Sequence, residues 1–321
     1  MSTVVIALGG NAILQARQKG THAEQRENIR LAADSIAELV RAGHRVILTH
    51  GNGPQVGNVL IQQEETRAVV PPMPLDVCGA QTQGMLGYLF QQELGNALRR
   101  RALAHPVIAV VTQTEVRAND PAFGEPAKPV GPYYTDRKAQ QAIDEKGWKM
   151  KEDRARGGWR RLVASPVPCA IVERDSIRRL VEGGAVVIAA GGGGAPVVRR
   201  PDGMLEGVEA VIDKDLAGYC LAMDMQADIF MILTDVRHVA VHFGTPAQID
   251  LTDVSPEAMR AYQTEGHFKA GSMGPKVEAC LRFAEASGGR AVIAALPDAL
   301  AAAQGHAGTQ IALQGRGEVA V

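Results

Sequence analysis

The stretch VVIALGGNAI, Val4 to Ile13, runs five apolar residues straight into two glycines and an asparagine. Val4 to Leu8 is short and rich in β-branched residues, which is the signature of a buried strand. Gly9-Gly10-Asn11 then reads as a tight turn. The same arrangement recurs twice. Arg45 to Thr49 runs into His50-Gly51-Asn52-Gly53-Pro54, and Ala185 to Ala190 runs into Gly191 to Gly194. Helical patterns fill the gaps. Asn28 to Arg41 carries Ile29, Ala32, Ala33, Ile36, Leu39 and Val40 on one stripe, with Gly43 just past its end. Val56 to Glu65 and Gln81 to Arg101 also read as helices, and Pro106 to Val111 as a third strand. Later come helices at Ser176 to Val181, Asp213 to Met223 and Pro275 to Ala286. Strands are predicted at Ile229 to Leu233, Ala291 to Ala295 and Thr309 to Leu313. Apolar strands alternating with helices predict an α/β fold whose mainly parallel central sheet is covered on both faces.

The rhythm breaks between Thr112 and Pro168. Four prolines stand from Pro121 to Pro132, a short helix is predicted at Asp136 to Lys146, and Lys149 to Arg161 is polar. Both tryptophans, Trp148 and Trp159, lie here. The segment reads as an inserted subdomain or lid. The chain is therefore expected to be one α/β domain over 1–313 with an insertion at about 112–168. The tail 314–321 is expected to fray.

Composition narrows the function. The chain has 321 residues, with 34 Lys and Arg against 35 Asp and Glu, a net charge of −1. A generic nucleic-acid or membrane-surface binder needs a net basic face, so neither partner is expected. Aromatic residues make up only 4%, too few for a base-stacking surface. No run approaches ~20 apolar residues, and the N-terminus has no secretory pattern, so a soluble, cytoplasmic protein is expected. Cys78, Cys169, Cys220 and Cys280 are far apart, without a C-x-x-C pair, and read as reduced and structural. The histidines show no H-E-x-x-H, so no protein-held metal is expected.

The glycine groups carry the chemistry. In an open parallel sheet, ligands bind beyond the carboxyl ends of the strands. Glycine there lets the backbone approach a ligand and point N–H groups at it, and helix N-termini add positive charge. One such group could be a tight turn alone; three together point to a phosphate-rich ligand. The site is not a Walker loop, because no G-x-x-x-x-G-K-[ST] is present; GSMGPK, Gly271 to Lys276, has the wrong spacing. No G-x-G-x-x-G follows the first strand, and no G-x-S-x-G elbow is present. Three lysines stand in unusual company. Lys214 lies between Asp213 and Asp215 at a helix start, Lys276 follows Gly274-Pro275 at another, and Lys128 lies in the insertion. Each alone could be a solvated surface group. Phosphoryl transfer needs cations converging on the moving group. His50 reads as structural. Arg154, Arg156, Arg160 and Arg161 read as a solvated face, with substrate steering or an interface as the alternative.

Seven segments, ALGGNAI (Ala7 to Ile13), HGNGPQVG (His50 to Gly57), PMPLDVCGAQTQG (Pro72 to Gly84), KPVGPYY (Lys128 to Tyr134), GGGG-x-P (Gly191 to Pro196), VIDKDLA (Val211 to Ala217) and GSMGPK (Gly271 to Lys276), together resemble the carbamate kinases, a branch of the amino acid kinase family. The resemblance covers about Thr3 to Leu313. It implies a three-layer α/β/α sandwich, a homodimer and a protruding subdomain. It also implies reversible, Mg²⁺-dependent phosphoryl transfer between ATP and carbamate, giving ADP and carbamoyl phosphate, usually run toward ATP in arginine or related nitrogen catabolism. On that resemblance Gly9, Gly10 and Asn11 approach the transferring phosphate, and Gly51, Asn52 and Gly53 line the carbamate side. Lys128, Lys214 and Lys276 neutralise the phosphoryl group, and Asp213 orients the lysines. Gly191, Gly192, Thr234 and Asp235 lie toward the nucleotide. An anionic carbamate oxygen needs no general base, which agrees with the lack of a His or Glu candidate. Two further features bear on this. Ala7-Leu8-Gly9-Gly10 lacks the K-x-G-G lysine of other amino acid kinases, as carbamate kinases do. Leu233-Thr-Asp-Val-Arg237 departs from their usual L-T-x-V-D, which leaves the nucleotide-side contacts open and makes Arg237 a candidate phosphate contact. The alternatives are a kinase for another small carboxylate or acyl group, a silent nucleotide-binding regulator and, more distantly, a dinucleotide oxidoreductase.

Overall fold

The computed structural model describes residues 1–15, 17–154, 157–269 and 271–313, and only the backbone at Asn11. The expected frayed tail, 314–321, and Arg156 lie outside the described residues.

Thr3–Leu8 is a strand buried along its whole length. It sits mid-sheet, parallel to Arg45–His50 on one side and Ile229–Thr234 on the other. The sheet has eight strands in the order Asp253–Val254, Thr309–Ile311, Arg290–Ala295, Ile229–Thr234, Thr3–Leu8, Arg45–His50, Val186–Ile188, Val107–Ala109. All pairings are parallel except Arg290–Ala295 with Thr309–Ile311. A strand alternates its side chains between faces, and the core divides accordingly. Val5, Ala7, Ile47, Phe230 and Ile293 pack with helices Arg174–Glu182, Lys214–Asp224 and Met273–Ser287. Val4, Ile6, Leu48, Met231 and Val292 pack with helices His22–Arg41, Leu75–Arg100 and Ala299–Ala303. This is the sheet covered on both faces that the strand pattern predicts, and the three-layer arrangement that the resemblance implies.

Helix ends fall earlier than the apolar stripes alone predict. His22–Arg41 begins six residues before Asn28, because Thr21 caps it with Glu24 in a reciprocal capping box. Leu75–Arg100 begins six residues before Gln81, directly after Pro74. Helix Gly53–Thr66 starts on the glycine turn itself, with Pro54 in its first turn, where a missing N–H costs nothing.

Three smaller sheets stand beside the main one among the described residues, the smallest being the antiparallel pair Val239–Val241 and Ile249–Leu251. Lys128–Tyr134, Gly158–Val163 and Lys149–Asp153 form an antiparallel sheet with helix Asp136–Lys146 against it. Gln113–Val116 and Pro168–Ile171 form a second sheet with Ala195–Arg199 and Leu205–Gly207. The sequence reading had no strands at Ala195–Arg199 or Leu205–Gly207 and no helix at Pro256–Thr264.

Candidate functional site

The strand-to-turn junctions meet at one end of the sheet. A cavity of about 370 Å³ opens there, walled by Gly10, Gly51, Asn52, Gly53 and Gly192 and by Lys128, Lys214 and Lys276. The approach is close. A side-chain carbon at Gly51 would lie 3.5 Å from the Gly10 nitrogen and 3.7 Å from the Lys214 stem. Gly192 has φ +68°, and a side-chain carbon there would fall 2.1 Å from the Asn52 amide nitrogen. Asn52 is itself held, donating from Nδ2 to Thr82 Oγ1 at 2.8 Å. Ala190, just before the four glycines, has φ 52°. Two threonines hold it in that left-handed conformation. Thr49 Oγ1 donates to its carbonyl, and its N–H donates to Thr112 Oγ1, each at 2.8 Å.

Two carboxylates organise the cations. Asp213 caps helix Lys214–Asp224: its Oδ1 accepts from the Asp215 N–H at 2.9 Å and its Oδ2 accepts from Lys128 Nζ at 2.8 Å. Asp215 receives two ammoniums, Lys214 Nζ on Oδ1 and Lys276 Nζ on Oδ2, the latter at 3.0 Å. The Asp215 side chain is 6% exposed. Burial alone would raise its carboxyl; the two lysines outweigh that and hold it down at about 2. Burial pulls the Lys214 ammonium below its ordinary value, while Asp215 holds it up and Lys276 pushes it down. A lysine in the first turn of a helix faces the positive end of the helix dipole, and the two acids offset that cost. Four cations, Lys128, Arg160, Lys214 and Lys276, line the cavity against two carboxylates, Asp213 and Asp215. The surplus suits an anionic ligand.

The structure places the residues singled out from sequence as follows. Asp213 pairs with Lys128 alone, and Asp215, assigned no role from sequence, is the residue that binds two lysines. The signal was present: a helix-start lysine flanked by two acids, with a buried cation in need of a counter-charge. Gly9 lies outside the cavity wall, its N–H donating to Leu233 O at 2.8 Å on the neighbouring strand. Asn11 falls in the 3-10 turn Gly10–Ala12, and nothing is described of its side chain. Gly191, Thr234 and Asp235 do not line the cavity; Thr234 Oγ1 donates to Asp235 Oδ1 at 3.0 Å beyond the end of its strand. Arg237 is exposed, 3.9 Å from the Asp298 carboxylate and away from the cavity.

The basic run divides. Arg154 is exposed beside Glu152. Arg161 is mostly buried, paired with Glu209 and stacked 4.2 Å over Trp148. Arg160 faces the other way and lines the cavity, as strand alternation over Gly158–Val163 requires. His50 is buried and stacked on Phe90 at 5.4 Å, with Nδ1 3.0 Å from the Gly51 carbonyl. Burial is the main cause that pulls its imidazole down to about 4, so it is neutral at pH 7. Cys78, Cys220 and Cys280 are buried free thiols, and Cys169 is exposed. Among the described residues no group of three His, Cys, Asp or Glu side chains could hold a metal, and no helix is long and apolar enough to cross a membrane.

Comparison with known proteins follows this geometry. The family model described as "Amino acid kinase family" matches residues 2–295. The carbamate kinase of Pyrococcus furiosus is 53% identical over 310 residues, covering 96% of this chain and 98% of the relative. That of Thermococcus kodakarensis is also 53% identical, over 314 residues, 97% of this chain and 99% of the relative. The structure of the Giardia lamblia carbamate kinase bound to AMP-PNP superposes with a TM-score of 0.93 at 42% identity, covering 97% and 98% of the two chains.

Proposed function

We propose a reaction for this chain from one premise: it belongs to the amino acid kinase family, in the carbamate kinase branch. The reaction is reversible phosphoryl transfer between ATP and carbamate, giving ADP and carbamoyl phosphate. The carrying observation is Asp215, which gathers Lys214 and Lys276 at two helix starts inside a glycine-walled cavity. A carbamate oxygen is already anionic. It attacks the terminal phosphorus of ATP, its O–P bond forms, and the bond to the ADP oxygen breaks. No proton has to be removed, so positioning and charge neutralisation suffice. Lys128, Lys214 and Lys276 offset the charge spread over the transferring oxygens, and backbone N–H groups near Gly10 and Gly51 approach them. Asp213 and Asp215 hold the lysine point charges in place. In reverse, the mixed anhydride of carbamoyl phosphate favours ATP formation.

Mg²⁺ enters as part of the MgATP or MgADP substrate. The nucleotide lies toward Gly191, Gly192, Thr234 and Asp235, extending beyond the lysine-lined cavity; the AMP-PNP held by the Giardia relative supports a nucleotide site in this fold. The segment at about 112–168 acts as a subdomain over the cavity, supported by Lys128 and Arg160 reaching the cavity from its sheet.

A homodimer and a cytoplasmic location belong to the same reading. Helix Leu75–Arg100 leaves Val77, Met85 and Tyr88 exposed on one face, spaced as one helical stripe. Val107–Ala109 is the sheet's edge strand beside it, and a hollow of about 590 Å³ lies between them. An apolar face against an unpaired edge suits a second copy.

The test of the reaction is ATP formation from MgADP with carbamoyl phosphate, beside acetyl phosphate as control donor. ATP from carbamoyl phosphate in clear preference is expected. Preference for acetyl phosphate would assign another small-carboxylate kinase, and nucleotide binding without turnover would assign a silent binder.

A further inference from the structure

Among the cavity cations, one lacks a carboxylate. Lys128 has Asp213, and Lys214 and Lys276 share Asp215. Arg160 pairs with no carboxylate among the described residues. Its Nη2 donates to the Gly131 carbonyl at 3.2 Å, and its guanidinium lies over the Tyr133 ring at 5.4 Å. Its Nε is buried and has no hydrogen-bond partner among the described residues. A buried donor left unsatisfied on a charged group is costly, and a guanidinium has five donors to satisfy. Its neighbour Arg161, on the opposite face of the strand, has both an acid and an aromatic partner. Arg160 thus brings to the cavity wall a guanidinium charge that no acid among the described residues offsets.

We propose that Arg160 is a substrate-binding residue that holds the carboxyl end of the acceptor, the planar two-oxygen group of carbamate or its counterpart in carbamoyl phosphate. This rests on the reaction proposed above. The three lysines are point charges suited to the tetrahedral phosphoryl group, and two of them stand at helix starts. Arg160 supplies what they lack, a flat fork that donates two parallel hydrogen bonds to a flat anion. It arrives from the inserted sheet, against Gly131, and shares the cavity wall with Lys128, Lys214 and Lys276. With one Nη2 bond to the Gly131 carbonyl and no acid against it among the described residues, the Arg160 guanidinium keeps donors for a bound anion.

The test uses Arg160→Gln and Arg160→Lys in the full chain, with steady-state kinetics and thermal unfolding with and without carbamoyl phosphate. Arg160→Gln is expected to raise KM for carbamoyl phosphate about 10- to 100-fold, the loss that follows from removing charge-assisted hydrogen bonds. KM for ADP should stay within about twofold, and the unfolding midpoint without ligand should hold. Arg160→Lys should recover only part of the loss, because it keeps the charge and not the fork. An unchanged KM for carbamoyl phosphate overturns the proposal, as does an equal rise in both KM values or a lowered midpoint without ligand. The midpoint shift caused by carbamoyl phosphate alone separates this proposal from the reaction itself. If wild type turns nothing over but the ligand still stabilises it, and less so in Arg160→Gln, the reaction fails and the binding role stands. Turnover with no difference between wild type and Arg160→Gln means the reverse. Neither turnover nor stabilisation overturns both.

Discussion

At the scale of single residues, Asp215 decides whether the lysines form a site. Two ammoniums share one buried carboxylate, so removing its charge leaves both without a partner. Asp215→Asn is expected to cut turnover by at least about 100-fold and to destabilise the fold by about 3–5 kcal/mol, the usual cost of breaking a buried pair. Inorganic phosphate should raise the unfolding midpoint of the variant more than that of wild type, since an anion replaces the missing charge. An unaltered midpoint and near-normal turnover would contradict this. His50 makes a different prediction, about pH. Its folded value lies at about 4 against an ordinary 6.5. The unfolded chain therefore binds the proton first as pH falls. The stability His50 contributes is complete above about pH 6.5 and is lost progressively down to about pH 4, a change of about 3 kcal/mol. Urea unfolding of wild type and His50→Gln at pH 7 and pH 4 checks it. The difference between them should shift by that amount, against wild type, at the lower pH. A constant difference would show that the imidazole is not held neutral.

At the scale of elements, the junctions between strands and helices place the chemistry. The turn at Gly191 to Gly194 is the tightest of them, because Asn52 occupies the space where a side chain at Gly192 would go. Gly192→Ala must move Asn52 off Thr82 and adopt a positive φ without glycine's freedom. A loss of about 1–3 kcal/mol is expected, with a raised KM for substrate, read by chemical denaturation and kinetics. An unaffected variant would show that the turn adapts freely. These junctions are also what sequence reveals best. A short β-branched run ending in glycine has few structural meanings, so Val4 to Leu8, Arg45 to Thr49 and Ala185 to Ala190 were legible as strands pointing at one site. Helix starts were less so. Thr21 and Pro74 set them by capping chemistry that an apolar stripe does not display. Ala195–Arg199 was missed although Leu205–Gly207 pairs with it directly, because both strands are short and its other partner, Gln113–Val116, is far away in sequence. The same holds for Asp215 and Arg160. Each is an ordinary surface type until the fold brings Lys276 to the one and the cavity to the other.

At the scale of the whole molecule, the eight-stranded sheet aligns its loops at one end and leaves its edge strand and one apolar helix face at the other side. That division lets a second copy cover Val77, Met85 and Tyr88 without touching the cavity. Light scattering should give twice the chain mass for wild type, and Tyr88→Glu with Met85→Glu should give a monomer. A monomeric wild type would contradict it. The inserted sheet joins the remaining parts, since Lys128 and Arg160 come from it while Lys214 and Lys276 come from the main domain. The site is therefore assembled from both; in the proposed reaction the three lysines serve the transferring group and Arg160 the acceptor. The most direct measurement compares kcat for ATP formation from MgADP and carbamoyl phosphate in wild type and in Lys214→Ala, with circular dichroism to show that both are folded. A fall of about three orders of magnitude with KM for ADP little changed is the expected result. Comparable turnover in the two folded proteins would contradict the assignment of this lysine cluster as the centre of phosphoryl transfer.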